Sequence, residues 1–97
     1  MITLEELRSK YKPQILALAE KHGAENIRVF GSVARGDADE RSDVDLLYSM
    51  RPGYGLWEAC GMIYEIEESL PFKVDCSWDA QLRPEFRDRI LIDAVPL

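Results

Sequence analysis

Residues 43–48 read Asp-Val-Asp-Leu-Leu-Tyr, and few backbones can accommodate that string. Side chains alternate across a strand, so Asp43 and Asp45 share one face while Val44 and Leu46 share the other. The segment is expected to be a strand with one face in an apolar core and the other left to polar chemistry. Two residues of strand rise put the two Cα atoms ~6.6 Å apart. From there the carboxylates can converge on one or two cations, since two-metal sites hold their ions roughly 3.5–4 Å apart. Without a cation the like charges repel. The pair is therefore costly as structure and useful as a ligand set.

The rest of the chain supplies layers around this strand. Thr3 and Glu6 have capping-box spacing and predict a short helix, which Pro13 interrupts or restarts. Ile15, Leu16, Leu18 and Ala19 form an apolar stripe that ends at Lys21, His22 and Gly23, a cationic last turn and C-cap. Ile27–Phe30 reads as a strand, and the polar, small-residue segment 31–42 as a loop or brief helical turn. Arg51–Gly55 is turn chemistry. Leu56, Ala59, Cys60, Ile63, Ile66 and Leu70 recur at helical spacing up to Pro71. Residues 72–76 form a third strand candidate. Pro84 opens a last helix with Phe86, Ile90, Leu91 and Ala94 as its expected buried stripe. Helix, strand, strand, helix, strand, helix describes an α+β or α/β layer fold on a small sheet. At 97 residues, positions 1–97 make one domain.

Several function classes drop out. Acids outnumber Lys and Arg 18 to 12, a net charge of −6, which disfavours direct nucleic-acid binding through counterion release. No apolar run approaches the ~20 residues of a membrane span. The start lacks a signal-peptide pattern, so a cytoplasmic location with reduced thiols is expected. Cys60 and Cys76 read as core residues, and with one His they give no zinc spacing. The Asp37–Tyr48 window fails as an EF-hand because Ser42 and Tyr48 stand where Gly and Glu belong. Gly31–Gly36 is no P-loop, since no Lys-Ser/Thr follows. Trp57 and Trp78 are candidates for a partner surface.

Two further features surround the Asp pair. If the 72–76 strand lies beside 43–49, Asp75 joins Asp43 and Asp45 on one face, a hard oxygen set suited to Mg²⁺. Gly31 and Ser32, directly after a strand, allow close backbone approach to a phosphate and offer an N–H and a hydroxyl. Arg35 can add a charged contact to a phosphate or pair with Asp37 or Asp39.

Phe30-Gly31-Ser32 and Ala34-Arg35-Gly36, then Asp43-Val44-Asp45 with ten residues between Ser32 and Asp43, resemble the Gly-Ser…Asp-x-Asp signature of the DNA polymerase beta-like nucleotidyltransferase superfamily. The length and the ending Leu82-Arg83-Pro84 to Leu97 are similar to its minimal nucleotidyltransferase branch. The resemblance implies a small mixed sheet with helices packed on one side. It implies that Asp43, Asp45 and Asp75 are catalytic and bind the metals, a pair of Mg²⁺ ions, and that Gly31 and Ser32 hold ATP. It further implies an antitoxin that transfers AMP to a tyrosine of a HEPN-domain ribonuclease toxin. Rival expectations are a binding module that masks such a partner, and a small-molecule nucleotidyltransferase completed by another chain or by a second copy.

Overall fold

The computed structural model describes residues 1–97. The elements run α1 (Leu4–Glu6), a π-helical turn (Leu7–Tyr11), α2 (Lys12–Lys21), β1 (Ala24–Phe30), α3 (Gly31–Arg35), β2 (Val44–Met50), α4 (Leu56–Ser69), β3 (Val74–Trp78), a 3₁₀ turn (Asp79–Gln81), α5 (Pro84–Asp93) and β4 (Val95–Pro96). The Thr3 hydroxyl caps α1 by accepting from the Glu6 N–H at 3.1 Å. Pro13 has no N–H for the Ser9 carbonyl, and the wide π turn just before α2 takes up that break. The expected interruption at Pro13 is therefore present.

One mixed sheet has the order β3-β2-β1-β4. β1 runs antiparallel to β2 and β4, and β2 runs parallel to β3, joined by the α4 crossover. Val44, Leu46 and Tyr48 of β2 enter one core with Ile27 and Val29 of β1, Ile15 and Ala19 of α2, and Ala59, Met62 and Ile66 of α4. Asp45, Leu47 and Ser49 take the opposite face. There Asp79 accepts from Arg28 Nη2 at 3.0 Å and from Ser49 Oγ at 2.5 Å, anchoring the chain as it leaves β3. Burial alone would raise the Asp79 carboxyl, but these two donors hold it below its ordinary range.

Several expectations need correction. The last helix buries no residue: Phe86 is 54% and Leu91 44% exposed. Its apolar spacing shows an amphipathic helix but not a partner within the chain. Cys60 and Leu56 are exposed; the rest of the expected α4 stripe holds, with Ala59, Ile66 and Leu70 buried and Ile63 packed against the core, and Met62 joins them. Cys76 does pack against the core, and burial pushes its thiol up to about 12. The third strand starts two residues later than the sequence suggested, and β4 escaped notice.

Leu46 is almost fully buried at the centre of this core. Leu46→Ala is expected to cost about 2–5 kcal/mol in urea unfolding. Phe86→Ala on the open side of α5 should stay within roughly 0.5 kcal/mol.

Candidate active site

The register of β2 and β3 places Asp45 directly beside Asp75. Neighbouring strands lie ~4.8 Å apart, so Asp45 and Asp75 share the sheet face opposite the core, at the end of β2 where the chain enters the sheet. Asp43 stands just before β2, two residues from Asp45, and lines the same groove as Asp75. The Val44 N–H donates to the Lys73 carbonyl at 2.9 Å, locking the two strand starts together beside Asp43. Asp75 is exposed, while Asp43 and Asp45 are half-buried.

Gly31 completes the corner. β1 ends at Phe30, which pairs with Asp45, and Gly31 turns the chain into α3 with φ +74°. Only glycine takes that conformation without strain. A Cβ there would overlap Asp45 Oδ2 and stand 3.3 Å from its Cγ. The backbone at Gly31 thus lies against the Asp45 carboxylate, with Ser32 next to it in the first turn of α3. The first N–H groups of a helix lack intrahelical partners.

Electrostatics bind the acids into one unit. The Asp45 carboxyl is pushed up to about 6, first by burial, then by the Asp75 and Asp43 charges, with Arg35 opposing. As placed, however, no three acidic, His or Cys side chains enclose an ion. The carboxylates are near enough to feel one another and have not closed on a centre. Their backbone spacing leaves that step to side-chain rotation. The donors are all carboxylate oxygens, and Gly31 leaves the Asp45 oxygen uncrowded, so the set fits a hard divalent cation such as Mg²⁺.

Arg35 is already engaged. It donates from Nε to Asp37 Oδ2 at 3.1 Å and from Nη1 to Asp93 Oδ2 at 2.7 Å, linking α3 to the end of α5. Asp37 was one of its anticipated partners; Asp39 instead binds Ser42 and the Arg41 N–H. Sequence reasoning missed Asp79, and only the shared face of Arg28 and Ser49 hinted at it. It also missed the wall beyond Asp75. There a groove of about 620 Å³ is lined by Asp43, Asp75, Glu67, Phe72 and Lys73, among others.

The chain belongs to the nucleotidyltransferase domain family, which matches residues 5–97, and is a transferase of that kind. A solved structure provisionally described as a minimal nucleotidyltransferase is 40% identical and superimposes with a TM-score of 0.82, covering 99% of this chain and 97% of that one. The small mixed fold expected from the resemblance is thereby shown. The protein adenylyltransferase MntA of Thermococcus cleftensis is 33% identical over 95 residues, 98% of this chain and 96% of that protein. A Methanocaldococcus jannaschii relative, provisionally named a protein adenylyltransferase, is 36% identical over 87 residues, 90% of this chain and 94% of its own. A toxin–antitoxin crystal structure with AMP-PNP has a TM-score of 0.73 over 89% of this chain and 71% of that one, at 15% identity, a likeness of fold alone. No helix is long and apolar enough to cross a membrane.

Proposed function

We propose that residues 1–97 form one Mg²⁺-dependent adenylyltransferase domain that moves AMP from ATP to a tyrosine hydroxyl of a HEPN-domain ribonuclease toxin. The protein would thereby act in the cytoplasm as that toxin's antitoxin. One observation carries the reading: Asp45 and Asp75 stand side by side in register, with Asp43 one repeat along and the Gly31 backbone against Asp45. The protein-adenylyltransferase names of its relatives support the choice of a protein acceptor.

Asp43 and Asp45 would hold two Mg²⁺ ions, with Asp75 a ligand of one. Bound there, the ions would neutralise the α-phosphate and acidify the acceptor hydroxyl. Gly31 and Ser32 receive the β- and γ-phosphates through backbone N–H groups and the Ser32 hydroxyl, and Arg35 adds positive charge nearby. The tyrosine oxygen bonds to the α-phosphorus as the bond to the bridging oxygen breaks. Pyrophosphate then leaves toward Gly31 and Ser32, and the hydroxyl proton passes to a carboxylate oxygen of Asp75.

Incubation of the partner toxin with the protein and α-labelled ATP tests this. Label should appear on the toxin and vanish with Asp43→Ala. A second reading, neutralisation by masking, has one observation in its favour: Leu56, Trp57 (88% exposed) and Tyr64 lie open on α4. Full neutralisation by Asp43→Ala without label would support masking and contradict the enzymatic account.

A further inference from the structure

Across the sheet, the site has a direction. Gly31 and Ser32 follow β1, Asp45 belongs to β2 with Asp43 immediately before it, Asp75 lies on β3, and β3 is an edge strand. In an in-line displacement the attacking and leaving oxygens stand on opposite sides of the phosphorus. With pyrophosphate leaving on the β1 side, the attacking oxygen arrives from the β3 side, past Asp75. The groove of about 620 Å³ opens there, within the size range of sites that bind small molecules.

Its walls are fixed in place. The Phe72 ring meets Tyr11 edge-on, with centroids 5.0 Å apart and planes at 78°. The Lys73 carbonyl is bonded to Val44 beside Asp43. Gln14 Nε2 donates to the Ser69 carbonyl at 3.2 Å, holding the end of α4 that carries Glu67. Lys73 is the only cation in the lining, is exposed, and takes part in none of the ion pairs of the molecule.

We propose that this groove is the acceptor site. Phe72 forms the wall against which an aromatic, hydroxyl-bearing side chain of the target polypeptide packs, and Lys73 selects an acidic residue next to it. The assignment rests on the adenylyl-transfer reading above and adds to it the chemistry of the segment that is modified. An unpaired ammonium in the lining of a groove gives selectivity through charge complementarity, and a reversed charge there repels the same partner. Glu67 on the α4 side opposes that selection, as do Asp43 and Asp75 unless bound cations neutralise them.

The test is steady-state transfer from α-labelled ATP to the HEPN-domain protein, with each substrate varied in turn. Lys73→Glu should raise KM for the protein acceptor tenfold or more and leave KM for ATP within twofold. Glu67→Lys, which makes the groove less anionic, should lower the acceptor KM. Both positions are exposed, so neither exchange bears on folding. A rise in KM for ATP instead would make the groove a nucleoside site and overturn the proposal. Unchanged KM values in both variants would overturn it as well. Absence of label with the wild-type protein would overturn the adenylyl-transfer reading itself, an outcome distinct from normal labelling without a KM effect.

Discussion

Asp45→Asn should reduce adenylyl transfer by roughly 10³-fold or more, because it removes a charge aimed at the centre where the phosphoryl charge develops. The same exchange should stabilise the metal-free fold. Burial, then Asp75 and Asp43, push the Asp45 carboxyl up to about 6 from an ordinary value of 3.8. The folded state therefore holds this proton more tightly than the unfolded chain does, and stability falls as the pH rises from about 4 to about 6. The penalty is complete above that window and absent below it. Asn carries no such charge, so Asp45→Asn should gain roughly 1–2 kcal/mol at pH 7.5, a figure discounted for the solvent that still reaches the site. At pH 4 it should gain nothing. Urea unfolding at the two pH values in the presence of EDTA measures this. Equal effects at both would show that Asp45 is not held under electrostatic strain.

Gly31→Ala is the second large effect, and it acts on stability and transfer together. At φ +74° an alanine is strained by about 1 kcal/mol. Its Cβ also overlaps Asp45 Oδ2, so either the carboxylate or the β1–α3 corner must shift. The expected cost is about 1–3 kcal/mol in urea unfolding, with transfer reduced by roughly 10²-fold as the ligand set is displaced. The two contributions separate in a double-mutant cycle. In an Asp45→Ala background the overlap disappears, and Gly31→Ala should then cost only the backbone strain. Undiminished destabilisation in that background would show that the Gly31–Asp45 contact is not the source.

The acidic face was legible because it rests on strand parity, the most dependable pattern in a sequence. A strand over 43–49 puts Asp43 and Asp45 on one face; the strand runs Val44–Met50, so parity fixes Asp45 while Asp43 stands just before it. The position of Asp75 depended on whether its strand lay alongside, and the parallel pairing of β2 and β3 puts it directly beside Asp45. Gly31 was legible as a glycine needed for close approach, although its neighbour proved to be Asp45 itself. Less was readable where tertiary contact decides. The spacing in α5 showed a stripe, but its contacts are with β1 and α3 and leave Phe86 and Leu91 open. On α4 the inward face is centred on Ala59, Met62 and Ile66, with Ile63 at its edge, which leaves Leu56 and Cys60 of the expected stripe outside. β4 has two residues, Val95 and Pro96, too few to show alternation. The groove beyond Asp75 joins Glu67 of α4 to Phe72 and Lys73, and only the packing of α4 against β3 brings those residues together.

The most direct measurement is a titration of Mn²⁺, a paramagnetic stand-in for Mg²⁺, into the protein with AMP-PNP, followed by electron paramagnetic resonance. Wild-type protein with nucleotide should bind Mn²⁺ more tightly than nucleotide alone, and Asp45→Asn and Asp75→Asn should each abolish the difference. Mn²⁺ binding that is the same in wild type and in both variants would contradict metal binding by these carboxylates.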